Sequence, residues 1–195
     1  MSGVIEDFTT KVPYWQPRVK PIDLDKATEA QREALKITPS GTKVSEYVLV
    51  LANDVETLAV RSPLFNAIMY DKGGLSRAER ELGALGASVV NRCVYCAAVH
   101  ASRYNQLTKD ETVVAEIFDK ETEAELSGRE AAIYSFAMKL ARTPSEADAS
   151  DIAACKAAGL DEAELLDLVL SSALFGWANR LMHVLGDPVR HEVPA

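Results

Sequence analysis

The sequence predicts an all-α protein. Apolar residues recur at three-and-four spacing from about Leu24 onward, and residues that cap helices precede these runs. No alternating polar and apolar run bounded by hairpin turns is present. At 195 residues, with 48% hydrophobic and 26% charged residues, the chain resembles an ordinary soluble protein and requires only one domain. We expect a helical bundle of about seven or eight helices.

The N-terminal segment differs from the rest of the chain. The segment contains three prolines, Pro13, Pro17 and Pro21, which disfavour a helix. A large aromatic side chain such as Trp15 gains little on an extended arm unless it packs on a surface. We therefore predict that residues 1–24 form an extended arm packed on its own domain or on a neighbouring subunit. Residues 25–195 are predicted to form a single helical domain.

Three helical segments are expected before the first strong stop. Asp25 is placed to cap a first helix that runs through Leu35. The Pro-Ser-Gly sequence at residues 39–41 then breaks the chain. A second helical pattern covers residues 47–58, and a third segment ends at the glycine pair 73–74.

The next two helices carry the most distinctive residues. Ser76 opens the first of them as the N-cap of a capping box completed by Glu79. Residues 83–88 are Gly-Ala-Leu-Gly-Ala-Ser, mostly small side chains that let another helix approach closely. The second helix runs toward Leu107 and contains Asn-Arg-Cys-Val-Tyr-Cys-Ala-Ala-Val-His at residues 91–100.

Four more helices are expected in the remaining sequence. A short one covers residues 111–118, and a longer one opens at Ser127. The Thr-Pro-Ser sequence at 143–145 ends the longer helix and caps another at 148–158. Asp161 caps the last and longest helix.

Composition and charge argue against several classes of protein. The formal charge of −8, without a lysine and arginine cluster, disfavours a nucleic-acid partner, because binding phosphates requires a concentrated positive face. No uninterrupted apolar stretch reaches the roughly 18 residues typical of a membrane span, and the N-terminus lacks the basic start of a secretion signal. Three cysteines, an odd number, do not suggest a disulfide framework. We expect a cytoplasmic protein with no membrane partner.

Cys93, Cys96 and His100 form the most informative pattern in the chain. Their three-then-four spacing places two sulfurs and an imidazole on one stripe of a helix. A thiol attacks only as thiolate, and the start of a helix favours that form. His100 follows Cys96 by one turn and can accept its proton. If Cys96 attacks a peroxide, the resulting sulfenic acid can condense with Cys93 to a disulfide. The pattern indicates a redox centre.

Glu81 is a second candidate for handling protons. It precedes Cys93 by twelve residues, in the helix whose small residues favour close packing, so it is placed to face the imidazole of His100. Taken alone, a glutamate at this position indicates a solvated surface residue.

A structural metal site and a purely structural cysteine pair are the alternatives to a redox centre. Two cysteines and one histidine supply three ligands, one short of a closed zinc site. No further Cys-x-x-Cys or His-x-x-x-His is present. We predict neither a metal ion nor a cofactor.

The residues Glu81, Cys93, Cys96 and His100, at these spacings, resemble the signature of the alkylhydroperoxidase D-like proteins of the carboxymuconolactone decarboxylase superfamily. The chain is most similar to the branch of peroxidase-related proteins. Residues 173–181, Ala-Leu-Phe-Gly-Trp-Ala-Asn-Arg-Leu, resemble the closing helix of that family.

This resemblance implies an all-helical fold and a thiol-dependent peroxidase. It implies that Cys96 is the peroxidatic residue, that Cys93 resolves, and that His100 and Glu81 relay protons. It also implies homo-oligomers, as dimers, trimers or hexamers, and a thiol or lipoyl-type reductant. Tyr95 stands where the best-known members carry a second histidine, and a phenol with a pKa near 10 is a poor base but can donate a hydrogen bond.

Two other functions remain open from the sequence. One is an enzyme similar to carboxymuconolactone decarboxylase, whose chemistry has no use for a Cys-x-x-Cys pair. The other is a non-catalytic helical oligomer that senses redox state through its disulfide.

Overall fold

The computed structural model describes residues 3–37 and 44–190 and confirms the all-α class. Within these residues are nine α-helices, two short 3-10 helices and one two-stranded antiparallel sheet. The α-helices are α1 Glu29–Leu35, α2 Glu46–Leu51, α3 Val55–Tyr70, α4 Arg77–Val90, α5 Val94–Thr108, α6 Thr112–Lys120, α7 Gly128–Ala141, α8 Ala149–Ala157 and α9 Glu162–Leu185. The strands are β1 Tyr14–Pro17 and β2 Gly186–Val189, and the 3-10 helices are Leu24–Lys26 and Glu121–Glu123.

Helix α4 is the centre of the bundle. Every residue from Arg80 to Val89 is buried, and α4 packs against α5, α7 and α9. Its small residues permit this close packing, as the sequence predicts. A Cβ atom at Gly86 would lie 3.0 Å from the Cβ of Ala137 on α7, closer than side chains ordinarily approach.

The predicted cap of the first helix is wrong. Asp25 lies inside the 3-10 helix Leu24–Lys26, where its N–H donates to the side chain of Asp23 over 3.0 Å. Thr28 caps α1 instead, because its hydroxyl accepts the N–H of Gln31 and the Gln31 side chain accepts the N–H of Thr28. This reciprocal pair satisfies two backbone donors that Asp25 could not reach.

The predicted helix at 47–58 is also divided differently. The chain breaks between α2 and α3, where Asp54 caps α3 by accepting the Thr57 N–H at 3.1 Å and the Thr57 hydroxyl at 2.7 Å. Pro63 lies inside α3 without ending it. The break predicted at residues 39–41 lies outside the described residues.

The cap predicted at residues 143–145 is also wrong, because Asp148 caps α8. The other predicted helix starts agree with the structure. Ser76 and Glu79 form the capping box of α4, and Asp148 and Asp161 cap α8 and α9 in the same way. Caps and helical periodicity depend on residues within one or two turns, so helix starts can be predicted from the sequence.

The N-terminal arm is extended and packs on this chain. Strand β1 pairs with β2, which directly follows α9. Trp15 is buried, and its indole N–H donates to the carbonyl of Met182 at 3.3 Å. A Cβ atom at Gly186 would overlap the Trp15 ring, so only glycine fits there. The sequence did not predict this sheet, since neither strand alternates and each contains a proline. The division at residue 24 and the homo-oligomeric state stay predictions.

One described helix, α9, is long and apolar enough to cross a membrane by length and composition alone. It packs on α4 and α7, and Leu168, Phe175 and Asn179 are among its buried residues. Core helices of soluble proteins pass the same test, so α9 is consistent with a soluble protein. The cytoplasmic location stays a prediction.

Candidate active site

The packing of α4 on α5 brings Glu81 and His100 into contact. Glu81 is 1% exposed and His100 is 5% exposed. The Nδ1 atom of His100 lies 2.5 Å from Oε2 of Glu81, which is hydrogen-bonding distance. The two side chains lie 19 positions apart in sequence. The structure thus joins two of the residues that the sequence singled out.

Arg77 extends this contact and was missed by the sequence analysis. The Oε1 atom of Glu81 accepts from Nε of Arg77 at 3.0 Å and also contacts Nη2. Arg77 is held in turn by the carbonyl of Met69 at 2.9 Å, and its guanidinium lies 3.8 Å from the ring centroid of Tyr70. The four-residue spacing of Arg77 and Glu81 was the available signal, since residues at i and i+4 are neighbours on a helix.

These partners keep Glu81 ionised despite its burial. Burial raises the pKa of the Glu81 carboxyl, but the His100 imidazole and the Arg77 guanidinium lower it by more, so the pKa lies below its ordinary value. Glu81 is therefore a carboxylate that can accept a hydrogen bond from the His100 ring.

Cys93 and Cys96 lie at the start of α5 as free, buried thiols. A hydrogen bond from the Cys96 thiol lowers the pKa of Cys93, and the Cys96 amide N–H acts in the same direction against the effect of burial. The pKa of Cys96 is raised well above its ordinary value, because its thiol donates to Cys93, is buried and faces the Cys93 charge. The first negative charge of the pair therefore resides on Cys93.

Asn179 joins the two thiols to the centre of the bundle. It is fully buried, and its side chain donates to the Ser88 hydroxyl at 3.2 Å and accepts from the Asn91 amide at 3.1 Å. Hydrogen bonding by the Asn179 side chain also lowers the pKa of both Cys93 and Cys96. The sequence singled out Asn179 within residues 173–181 but not its partners, since 88 residues separate Asn91 from Asn179.

Arg180 follows Asn179 on α9. The side chain is exposed and donates to the hydroxyl of Thr143 at 2.8 Å.

Replacing Asn179 with alanine is expected to raise the pKa of both thiols, because the amide that stabilises their charged forms is lost. Titration of the thiolate by ultraviolet absorbance should move to higher pH, and alkylation at neutral pH should slow. Asn91→Ala is the matched control, since it removes the 3.1 Å bond to Asn179 but leaves the amide beside the sulfurs. An unchanged titration in Asn179→Ala would contradict this role.

The two sulfurs line different cavities. Cys96, Glu81 and His100 line a cavity of about 220 Å³, called here the Cys96 cavity. Cys93 lines a second cavity of about 330 Å³, the Cys93 cavity, which Trp15 of the arm also lines. The thiols can therefore be approached from two sides.

Aromatic side chains form much of the wall of the Cys96 cavity. The Phe175 ring packs edge-on against His100, with centroids 4.0 Å apart. Tyr95 lines both cavities, and burial raises the pKa of its phenol, so it remains a neutral hydrogen-bond donor. The aromatic residues of the wall are Tyr47, Phe65, Tyr70, Tyr95 and Phe175.

No group of three or more His, Cys, Asp or Glu side chains that could hold a metal ion occurs within residues 3–37 and 44–190. The third cysteine, Cys155, is fully buried and lines neither cavity at the thiol pair. Burial raises the pKa of its thiol.

Comparison with known proteins identifies a family region and several similar folds. Residues 56–139 match the model of the carboxymuconolactone decarboxylase family, a region that contains all four predicted site residues. No curated protein matches the sequence.

Three solved structures share the fold. A peroxidase-related protein from Silicibacter sp. TM1040 is 24% identical, with a TM-score of 0.73 over 91% of this chain and 95% of that one. An alkylhydroperoxidase AhpD core protein, also described as peroxidase-related, from Ralstonia eutropha JMP134 is 24% identical, with a TM-score of 0.74 over 94% and 99%. The debrominase Bmp8 is 15% identical, with a TM-score of 0.74 over 89% and 92%. At these identities the similarity establishes the fold.

Proposed function

We propose that this chain is a thiol-dependent peroxidase, because residues 56–139 match the model of the carboxymuconolactone decarboxylase family, whose superfamily includes the alkylhydroperoxidase D-like proteins. It reduces organic or hydrogen peroxide through a dithiol and disulfide cycle of Cys93 and Cys96. The observation that carries the proposal is the contact of His100 with the Glu81 carboxylate in the cavity that Cys96 lines.

The first step is removal of the Cys96 proton. When Nδ1–H of His100 donates to the Glu81 carboxylate, Nε2 is the ring nitrogen left to accept a proton. His100 takes the Cys96 proton through this atom, directly or through a water molecule. The resulting thiolate attacks the terminal oxygen of the peroxide. The O–O bond breaks, Cys96 becomes a sulfenic acid, and the leaving alkoxide takes the proton from His100.

The second step forms the disulfide. Cys93 has the lower pKa of the pair, so its thiol loses its proton to solvent more readily and the resulting thiolate attacks the Cys96 sulfur. Hydroxide leaves and takes a proton from solvent to become water. The cycle thus converts one peroxide and the dithiol into an alcohol, water and a Cys93–Cys96 disulfide.

The reductant acts from the Cys93 cavity. Because Cys93 lines its own cavity, a thiolate of a dithiol reductant can attack the Cys93 sulfur without entering the peroxide cavity. Cys96 leaves as thiolate and is protonated again. The second thiol of the reductant then releases Cys93 and leaves as a disulfide.

A peroxide titration of the reduced protein tests this function. We expect stoichiometric consumption of peroxide, a mass loss of two hydrogens and a Cys93–Cys96 disulfide in the peptide map. With dihydrolipoamide present, consumption should continue through many turnovers. Peroxide loss without the disulfide would contradict the mechanism. Oxidation without turnover would instead support a redox sensor.

A reductive dehalogenase is a second candidate. The observation that favours it is the aromatic wall of the Cys96 cavity, which suits a planar halogenated ring, and the fold is shared with a debrominase. Such a reaction would replace a ring halogen with hydrogen, release halide and leave the same disulfide. Release of bromide from a bromopyrrole by the reduced protein, with no reaction toward peroxides, would favour this candidate over a peroxidase.

A further inference from the structure

Arg61 on α3 is a buried cation without a hydrogen-bond partner on two of its nitrogens. The residue is 8% exposed, and its Nε and Nη1 atoms are shut off from solvent and unpaired among the described residues. Its guanidinium carbon lies 4.3 Å from the ring centroid of Phe65 and 5.9 Å from that of Tyr47. Aromatic faces attract a cation but cannot replace the hydrogen bonds lost on burial.

No carboxylate of the described chain forms an ion pair with Arg61. Glu81 is the acidic residue among those that line the Cys96 cavity, and Arg77 and His100 already bind both of its oxygens. Residues 38–43, which precede the wall residue Val44, contain no aspartate or glutamate. An acceptor supplied by a ligand would satisfy Arg61.

The charge of the cavity wall favours an anion. Three arginines, Arg61, Arg77 and Arg103, line the cavity against one glutamate, Glu81, so the arginines and the glutamate together carry three positive charges and one negative charge. The whole chain carries −8. A cavity of opposite sign to the rest of the protein concentrates small anions.

Tyr47 supplies a second unpaired donor beside the same cavity. Tyr47 lines the Cys96 cavity, and its buried hydroxyl has no hydrogen-bond partner among the described residues. Burial raises the pKa of the Tyr47 phenol, so it stays a neutral donor. A carboxylate accepts from a guanidinium and a phenol at once, since its two oxygens offer several lone pairs.

We propose that the Cys96 cavity binds a small organic carboxylate with an aromatic body, and that Arg61 and Tyr47 bind its carboxylate group. This inference rests on the proposed function in one respect: the bound carboxylate is the anionic end of a hydroperoxide whose O–O group reacts at Cys96. The volume of about 220 Å³ lies below the roughly 300–1,000 Å³ of pockets for drug-sized ligands, which limits the body to a single ring.

Calorimetry without peroxide tests the binding step. The probes are 4-isopropylbenzoate and the uncharged 4-isopropylbenzamide, which have nearly the same shape. We expect the reduced protein to bind the benzoate about tenfold or more tightly than the amide, because only the benzoate makes charge-assisted hydrogen bonds. Arg61→Gln should remove this preference, and Arg61→Lys should retain part of it. The matched control is Arg142→Gln, which removes an exposed arginine paired with Glu146 and should leave the preference intact.

Equal binding of the two probes, or an unchanged preference in Arg61→Gln, would overturn the proposal. If Arg61→Gln does not fold, the affinities of the two probes for the wild-type protein and for Arg61→Lys test the proposal instead. An unchanged preference in Arg61→Lys would then overturn it. Failure of both probes to bind the wild-type protein would overturn it as well.

If the chain binds the carboxylate but is not a peroxidase, the two experiments give different results. The benzoate preference would persist while peroxide titration produced no disulfide. If both proposals hold, cumene hydroperoxide carrying a para-carboxylate should have a KM about tenfold below that of cumene hydroperoxide, and Arg61→Gln should equalise the two values.

Discussion

Replacement of Cys96 by serine is expected to abolish peroxide turnover, with a loss of about a thousandfold or more. A serine hydroxyl is a far weaker nucleophile than a thiolate and cannot form the disulfide. Cys93→Ser should also stop turnover but should allow one reaction per chain, because Cys96 can still attack. Stopped-flow peroxide consumption and mass spectrometry with dimedone, which traps sulfenic acid, measure both outcomes.

The location of the trapped sulfenic acid decides the roles of the two thiols. We expect it on Cys96 in the Cys93→Ser variant and no trapped adduct in Cys96→Ser. The lowered pKa of Cys93 makes the reverse assignment the alternative, since the more acidic thiol forms the attacking thiolate more readily. An adduct on Cys93 in Cys96→Ser would show that Cys93 attacks first. Cys155→Ala is the control, because Cys155 lines neither cavity at the thiol pair and its loss should leave turnover intact.

Replacement of Glu81 by glutamine is expected to lower both stability and activity. The variant removes the negative charge that pairs with Arg77 and leaves one amide oxygen where two carboxylate oxygens accept from Arg77 and His100, and loss of one partner of a buried ion pair costs about 3–5 kcal/mol. Peroxide reduction should fall about a hundredfold or more, since the imidazole is no longer oriented to take the Cys96 proton. Urea denaturation and stopped-flow kinetics at neutral pH measure the two effects.

The stability difference should depend on pH in one direction. The pKa of Glu81 in the folded protein lies below its ordinary value of 4.5, so its contribution is fully present above that value. The contribution is lost as the pH falls below 4.5 and through the folded pKa. Wild-type protein and Glu81→Gln should therefore converge in free energy of unfolding in acid. Glu56→Gln, a change at an exposed position of α3, is the control and should alter neither stability nor rate appreciably. Equal stability of Glu81→Gln and wild type at neutral pH would contradict the buried ion pair.

Local patterns in the sequence predict much of the fold. The capping box of Ser76 and Glu79 and the cap at Asp161 involve residues within one turn, so the sequence predicts them directly. Where several caps compete within a few residues, the local rule fails. Asp25 and Thr28 are both acceptable N-caps, and the choice goes to Thr28, whose partner Gln31 also donates to the carbonyl of Ala52 at 3.2 Å.

In the candidate site too, some features follow from the sequence and others depend on tertiary packing. The spacing of Cys93, Cys96 and His100 on one helix is a property of sequence, and so is the resemblance that added Glu81. The 2.5 Å contact between Glu81 and His100 depends on how closely α4 packs on α5. The sequence supplied the residues of the contact, and the packing supplied its distance.

The sequence by itself determined the helical class, most helix starts and the list of reactive side chains, because these depend on residues within a few positions of each other. Only the tertiary structure decided that Asn179 lies beside the thiols, that Arg61 is buried with two nitrogens unpaired among the described residues, that β1 pairs with β2, and that the two sulfurs line separate cavities. The physical reason is that these features join residues far apart in sequence. Their contacts depend on the angles and distances between packed helices, and no local pattern of residues encodes those quantities.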